Sequence, residues 1–173
     1  MELIEFNIPP EMLEEAIKDG EALGELRNSI TRGEGNTAGI LGEMVAAKVT
    51  GYQRKSTRDY DLVNPNNPED TADVKTKLCA SAPESHFENS IAAYNTMQKC
   101  GKYIFVRVSK DYAKAWVCGE LTKDEYFKKA VFIQQGQYDP RNRWRCHADC
   151  YNVAMSELKP VTVLKEEEKK EEQ

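Results

Sequence analysis

Short segments rich in apolar, β-branched and aromatic residues recur along the chain and predict strands. Two segments show this pattern most clearly, KYIFVRVS at 102–109 and KAWVCGEL at 114–121. Weaker examples are ELIEFNI (2–8), GYQRKS (51–56), YDLV (60–63), ADVKTKL (72–78), VFIQQG (131–136) and the region 143–155. The pattern therefore predicts a sheet built from segments spread over the whole chain.

Apolar residues at helical spacing predict helices between these strands. The first covers 11–30, and a second covers AGILGEMVAAKV at 38–49, with Asn36 or Thr37 as its N-cap after a loop at 31–37. One side of the second helix is small, with Gly39, Gly42 and Ala46, so we expect it to lie close against the sheet.

Two further helices are predicted in the second half. Ser85 is placed as the cap of a helix through Lys99, ended by Gly101. Its inward face would carry Phe87, Ile91, Tyr94 and Met97. A short helix in TKDEYFKKA begins at Thr122, with Glu125 completing a capping box. The order of helix, three strands, helix and strand indicates a mixed α/β chain in which a three-stranded meander precedes a crossover.

Composition sets the broad class. The chain has 173 residues, of which 40% are hydrophobic and 31% charged, enough for one domain. We assign 1–164 to that domain and expect the charged tail at 165–173 to be disordered. AGILGEMVAA is too short to cross a membrane, and the N-terminus lacks the pattern of a signal peptide. An odd count of five cysteines favours reduced thiols, so we expect a cytoplasmic protein. This expectation includes a phage-encoded protein that acts inside the host cell.

Charge is unevenly distributed. The net charge is −5, which by itself argues against a nucleic-acid partner. Region 27–58, however, carries six basic and two acidic residues: Arg27, Arg32, Lys48, Arg54, Lys55 and Arg58 against Glu34 and Glu43. Because phosphate contacts depend on the local patch, composition leaves the partner open.

The segment DYDLVNPNNPEDTADVKTK at 59–77 carries the candidate chemistry. The acid-x-Lys triplet Asp73–Lys75 means little alone, because about three such triplets are expected by chance and the chain has four. On a strand, however, Asp73 and Lys75 point to the same face, and a hairpin brings Asp61 opposite Asp73. Glu43 lies on the preceding helix. Converging carboxylates of this kind suit Mg²⁺ or Mn²⁺.

These segments, in this order, resemble the PD-(D/E)XK (restriction-endonuclease-like) nuclease superfamily, particularly its small phage-type members. The resemblance covers about residues 37–110, from GILGEMVAAK through YDLV and ADVKTK to YIFVRV. Tyr60 stands where the proline of the pattern would be. The resemblance implies a core of helix, three-strand meander, helix and strand, in which helices flank a mixed central sheet and terminal strands are added.

By the same resemblance, Glu43, Asp61, Asp73 and Lys75 match the catalytic positions. The metal ligands would be Asp61, Asp73, the Val74 carbonyl and Glu43, and Lys75 would position or help deprotonate the attacking water. The implied activity is Mg²⁺-dependent hydrolysis of DNA, with Mn²⁺ as a substitute, leaving 5′-phosphate ends. The alternatives are a non-catalytic nucleic-acid-binding protein of the same fold and a module whose acids are incidental.

Several other residues are weaker candidates. Asp59 competes with Asp61, whereas Glu69 and Asp70 are interpreted as solvated turn residues. Gln98 on the predicted helix is placed within reach of the site. Possible DNA contacts are Lys77, Arg32, Arg54, Lys55, Arg58, Lys99, Arg141, Arg143 and Arg145. The modest basic surface suggests that a homodimer or higher assembly holds the duplex.

The segment RNRWRCHADCY at 141–151 allows two interpretations. Its Cys and His residues suggest zinc, but two cysteines are too few for a structural site. Strand alternation instead places Arg141, Arg143, Arg145 and His147 on one face and makes the cysteines core thiols. The basic face would then follow a phosphate backbone or be simply solvated.

Overall fold

The computed structural model describes residues 1–27, 34–55, 57–140 and 142–165. Its helices are α1 (Pro10–Arg27), α2 (Glu34–Thr50) and α3 (Lys123–Lys129). Its strands are β1 (Ile4–Asn7), β2 (Gln53–Arg54), β3 (Leu62–Asn64), β4 (Asn67–Cys79), β5 (Glu88–Ala92), β6 (Lys102–Ser109), β7 (Lys114–Thr122), β8 (Val131–Ile133), β9 (Tyr138–Asp139), β10 (Trp144–Arg145) and β11 (Cys150–Ala154).

The protein is a mixed α/β structure built on a six-stranded sheet in the order β1-β7-β6-β4-β3-β2. Strands β4 and β6 pair in parallel, and the other neighbouring pairs of this sheet are antiparallel. The buried strand β6 confirms the strand predicted at 102–109, and β7 confirms its neighbour. A mixed central sheet flanked by helices is therefore confirmed.

The two faces of β6 pack against different layers. Ile104 and Val106 join Leu41 and Val45 of α2 in the core beneath α1 and α2. On the other face, Tyr103, Phe105 and Tyr126 of α3 form a second core with residues of β5 and β11. Strands β5, β11 and β8 form a separate three-stranded sheet, so the C-terminal strands do not extend the central sheet.

The predicted meander is present as β2, β3 and β4. The loop between its acids is shorter than predicted, because β4 already begins at Asn67 and Asn64 pairs with Asn67. A turn at Pro65–Asn66 connects the strands, and the Asn64 side chain accepts a hydrogen bond from Asn66 N. The residues after the turn therefore belong to a long strand that carries Asp73 and Lys75.

The helix predicted from Ser85 to Lys99 is wrong. This crossover contains β5 and a short 3₁₀ turn at Ala93–Asn95. In β5 every second residue, Asn89 and Ile91, is buried. Because Asn89 is polar, the alternation of a strand cannot be recognised from the hydrophobic residues alone. Tyr94 and Met97, expected to face inward, are exposed.

Two smaller expectations also change, and one is confirmed. Helix α2 begins at Glu34, so Asn36 and Thr37 lie inside the helix rather than at its N-cap. The alternating strand predicted around Arg143 is wrong, because Arg143 has a φ of 53° and the strand there is limited to Trp144–Arg145. The capping box of Thr122 and Glu125 at α3 is confirmed.

Parts of the remaining predictions lie outside the described residues, namely 28–33 and the tail beyond 165. No helix in the described ranges is long and apolar enough to cross a membrane. The five cysteines are free thiols and all are buried, as expected of core thiols.

Candidate active site

Asp61 lies directly before β3 and next to β4 in space. Its backbone N donates to Ala72 O at 3.0 Å, and its Oδ2 accepts a hydrogen bond from Val74 N at 2.8 Å. The Asp61 carboxylate thus accepts a hydrogen bond from the β4 backbone at the point where the pairing of β3 with β4 begins. This hydrogen bond holds Asp61 beside the Asp73–Lys75 segment.

Helix α2 approaches β4 closely at Gly42. A Cβ at Gly42 would stand 1.8 Å from Thr76 Oγ1, so only a residue without a side chain fits this contact. The small side predicted for α2 therefore packs on the sheet at Gly42, whereas a Cβ at Gly39 would meet no described atom outside α2 within 4 Å. Glu43, the next residue, borders Asp61 and pairs with Arg54, whose Nε lies 2.9 Å from Glu43 Oε2.

Asp73 and Lys75 lie on one face of β4, as predicted from strand geometry. Lys75 Nζ is 2.8 Å from Asp73 Oδ2, an ion pair whose angles do not meet those of a hydrogen bond. Asp73 is 4% exposed, and its Oδ2 has no hydrogen-bond partner within the described structure. A buried carboxylate oxygen therefore keeps lone pairs available for a ligand.

Gln98 connects the two residues. Its Nε2 lies 3.4 Å from Asp73 Oδ1, and its Oε1 accepts from Lys75 Nζ at 3.3 Å. The residue reaches the site as expected, although it lies after the 3₁₀ turn and not on a helix. Lys123 Nζ donates to the Gln98 carbonyl, which ties this segment to α3.

Burial, with a smaller contribution from neighbouring carboxylates, raises two pKa values in the site. Burial raises the pKa of Asp61 to about 6, and the neighbouring Glu43 charge adds to the effect. Burial likewise raises the pKa of Asp73 to about 6, with Asp61 adding and the Lys75 ammonium opposing. Ionisation of either carboxyl group is therefore less favourable than in water, and a bound cation would stabilise the ionised forms.

The donor set fits a divalent cation by chemistry and by charge. Three carboxylates, of Glu43, Asp61 and Asp73, face two protein cations, Lys75 and Arg54. Hard oxygen donors of this type are those that Mg²⁺ and Mn²⁺ prefer. Among the described residues no three His, Cys, Asp or Glu side chains form a preformed metal site. Glu43 is turned toward Arg54, so cation binding would involve a reorientation of its side chain.

Asp59 occupies a different position from Asp61. Its Oδ1 accepts from Lys99 N at 3.3 Å, and within the described residues its carboxylate forms no hydrogen bond with Asp73 or Val74. Asp61 instead bonds to Val74 and interacts with both Glu43 and Asp73. Of the two aspartates that sequence left open, Asp61 is therefore the one that the fold brings to the cluster.

The candidate DNA contacts are dispersed. Arg54 is committed to Glu43 and also lies 3.6 Å from Asp19, while Lys77 lines a cavity beyond Lys75. Arg145 Nη1 donates to Gly136 O at 2.6 Å. Lys55, Arg58, Lys99 and Arg143 are exposed, and Arg32 and Arg141 lie outside the described residues. Arg143 and Arg145 do not share a strand face, because Arg143 has a φ of 53° and lies before the strand Trp144–Arg145.

A second charged cluster was missed from sequence. Lys102, 7% exposed, lies 2.9 Å from Glu120 Oε2 and 3.8 Å from Asp70 Oδ1, and donates to Tyr52 OH at 2.8 Å. Asp70 also accepts hydrogen bonds from Tyr52 and Asn64. The interpretation of Asp70 as a solvated turn residue is therefore wrong. In the sequence, the only indication of this cluster was the charged Lys102 at the start of the apolar strand KYIFVRV.

Comparison with known proteins adds no assignment. No family model matches the chain, and no curated protein matches it.

Proposed function

We propose that this protein is a Mg²⁺-dependent deoxyribonuclease with a restriction-endonuclease-like core. The observation that supports the proposal is the convergence of Asp61, Asp73 and Lys75 at the start of β3 and on one face of β4, with Glu43 of α2 beside them. Four residues from three elements meet at one point, and each is of the type that phosphodiester hydrolysis requires.

The meander β2-β3-β4 and the parallel β4–β6 pair also agree with this core. The crossover departs from it, because β5 and a 3₁₀ turn replace the expected helix. Gln98 still reaches Asp73 and Lys75 from the end of this crossover, so the departure does not remove this residue from the proposed site.

The oxygens of Asp61 and Asp73 and the Val74 carbonyl would hold the metal, with Glu43 as a direct or water-mediated ligand. When bound, Mg²⁺ would supply Lewis-acid stabilisation of the charge that develops on the phosphate and the leaving oxygen. Lys75, oriented by Asp73 and Gln98, donates hydrogen bonds to the attacking water and to a phosphate oxygen. The water oxygen bonds to phosphorus as the P–O3′ bond breaks. The attacking water releases a proton to solvent and the leaving O3′ takes up a proton from solvent, so the products are a 5′-phosphate and a 3′-hydroxyl.

Incubation with supercoiled, linear and branched DNA in Mg²⁺ tests this function. We expect cleavage by the wild type and a loss of at least about 100-fold in Lys75→Ala and Asp73→Asn, since each removes a group acting on the reacting phosphate. Lys18→Ala, which changes an exposed lysine of α1, is the matched control. Equal cleavage by wild type and Lys75→Ala would show contamination and overturn the proposal.

The same assay addresses the alternative. A non-catalytic DNA-binding protein would retard DNA in a gel without cleaving it in Mg²⁺ or Mn²⁺. DNA is the partner that we propose, and light scattering with and without duplex tests the predicted homodimer or higher assembly.

A further inference from the structure

A cavity of about 460 Å³ lies beyond Lys75 on the same face of the sheet. Lys77 follows Lys75 by two residues on β4, a distance of about 6.6 Å along a strand, which is of the order of one nucleotide. A smaller cavity of about 90 Å³ is lined by Lys75 and shares Lys77 and Arg107 with the larger one. The two cavities are therefore neighbours across Lys77 and Arg107, and the smaller one is bordered by Lys75 of the candidate active site.

Two cations converge on the cavity. Lys77 Nζ and Arg107 Nη2 both donate to the Glu88 carbonyl, at 3.2 and 2.7 Å, and Lys77 also donates to Ser90 Oγ at 3.2 Å. Arg107 is only 8% exposed. Burial and then the Arg107 charge lower the pKa of Lys77 to about 8, although Glu88 opposes the shift. A half-buried ammonium and a buried guanidinium thus lie side by side on a cavity wall that also includes Glu88, and such paired cations can donate charge-assisted hydrogen bonds to an anion.

Aromatic rings complete the walls. The Arg107 guanidinium lies 5.7 Å from the centre of the Phe87 ring, and Lys77 Nζ lies 5.6 Å from that of Trp144. Both rings are half-buried, and both line the cavity. On the same lining, the Asp139 carboxylate is held by Asn142 Nδ2 at 2.8 Å. The cavity thus combines cations with flat apolar surfaces, the combination that recognises a nucleotide.

We propose that this cavity binds one nucleotide of the DNA strand, the neighbour of the nucleotide at the scissile phosphate. Its phosphate lies between Lys77 and Arg107. Its base contacts the rings of Phe87 and Trp144. This inference rests on the proposed function and names the substrate class more closely.

A base held in such a cavity is not paired in a duplex. Unpairing a base costs a few kcal/mol, and least where the strand is already single or the end is open. The protein therefore prefers single-stranded DNA, flaps or frayed ends to intact duplex.

Calorimetric titration of the full chain in EDTA tests the cavity without cleavage. The ligands are thymidine 5′-monophosphate, thymidine and inorganic phosphate. We expect the monophosphate to bind at least about tenfold more tightly than either fragment, because it engages both the cations and the rings. Saturation only by phosphate, or equal affinity for all three, would overturn the nucleotide site.

Variants separate the contacts. Lys77→Met and Trp144→Leu should each weaken monophosphate binding at least about tenfold, whereas Lys18→Met, on the opposite side of the sheet, should leave it unchanged. Circular dichroism of each variant reports its fold. Unchanged binding by folded Lys77→Met would contradict the proposal.

The failure of this inference is distinguishable from the failure of the nuclease function. Asp73→Asn should bind the monophosphate as the wild type does while losing cleavage. If the wild type binds the monophosphate but cleaves no DNA, the nucleotide site is supported and the nuclease function is contradicted. Cleavage that depends on Asp73, but is the same for duplex and single strands and unaffected by Lys77→Met, would remove the cavity from the mechanism.

Discussion

Asp61 and Val74 are joined by a hydrogen bond of 2.8 Å from the Val74 backbone N to Asp61 Oδ2. The bond takes the place of a ladder contact between β3 and β4, so the position of the carboxylate is set by the sheet itself. An asparagine can accept the same hydrogen bond with its Oδ1 but is a weaker ligand for a hard cation.

We therefore expect Asp61→Asn to fold normally and to lose most of the stabilisation that Mg²⁺ or Mn²⁺ gives the wild type. A ligand at 100 times its Kd stabilises by about 2.7 kcal/mol, which is a shift of several degrees in Tm for a chain of this size. Thermal unfolding at increasing metal concentration measures the difference.

Asp59→Asn is the matched control, since Asp59 precedes Asp61 by two residues and contacts Lys99 N instead. This variant should keep the metal-induced shift. The reverse result, a shift lost in Asp59→Asn and kept in Asp61→Asn, would identify Asp59 as the ligand.

Gly42 sets the distance between α2 and β4. Gly42→Ala places a Cβ within 2.9 Å of Thr76 Cβ and closer still to its hydroxyl, so helix and strand must separate. We expect a destabilisation of about 1–3 kcal/mol, typical of overpacking, and weaker metal binding because Glu43 moves with the helix. Urea unfolding and the metal titration measure the two effects.

Gly39→Ala controls for the helix propensity of alanine. Apart from the backbone of α2 itself, no atom of the described residues lies within 4 Å of a Cβ at Gly39, so this substitution should be neutral or stabilising by up to about 1 kcal/mol. Combination of Gly42→Ala with Thr76→Ala should restore part of the lost stability. Equal effects of the two glycine substitutions would show that the close contact has no energetic role.

The sequence predicted those elements whose hydrophobic period is undisturbed. Strands β6 and β7 are nearly continuous apolar segments, and α3 carries its own capping box. Strand β5 could not be found this way, because Asn89 occupies a core position and satisfies its amide with Val153 O at 3.2 Å. Pairing with β11, 58 or more residues later in the chain, decides this segment, and local patterns do not contain that information.

The site was more predictable than the crossover. Strand geometry alone places Asp73 and Lys75 on one face, and the hairpin brings Asp61 to them. The sequence did not predict that Arg107 and Trp144 line one cavity. Their proximity depends on how the segments after β7 fold back over β4.

The buried network around Lys102 joins the three central strands β4, β6 and β7 at one end of the sheet. Lys102→Met leaves the Glu120 carboxylate, 13% exposed, and the neighbouring Asp70 without their cation. Removal of one partner from a buried ion pair costs about 3–5 kcal/mol, so we expect a loss of stability in that range by urea unfolding. Lys129→Met, which breaks an exposed pair with Glu157, should cost less than about 1 kcal/mol. Similar costs for both would show that the Lys102 network is not a structural cluster.

Lys77 makes the stability of the protein dependent on pH in the alkaline range. Its pKa falls from 10.5 to about 8 on folding, chiefly through burial, so the unfolded chain binds more protons between these values. Stability contributed by this group is therefore absent below about pH 8 and increases as the pH rises toward 10.5. The free energy of unfolding of the wild type, minus that of Lys77→Met, should increase by about 2 kcal/mol over this window, after allowance for the partial exposure of the side chain. Denaturant titrations from pH 7 to pH 10 measure it, with Lys18→Met as the control for a general effect of lysine removal. A difference that stays flat would mean that Lys77 is not desolvated in the cavity.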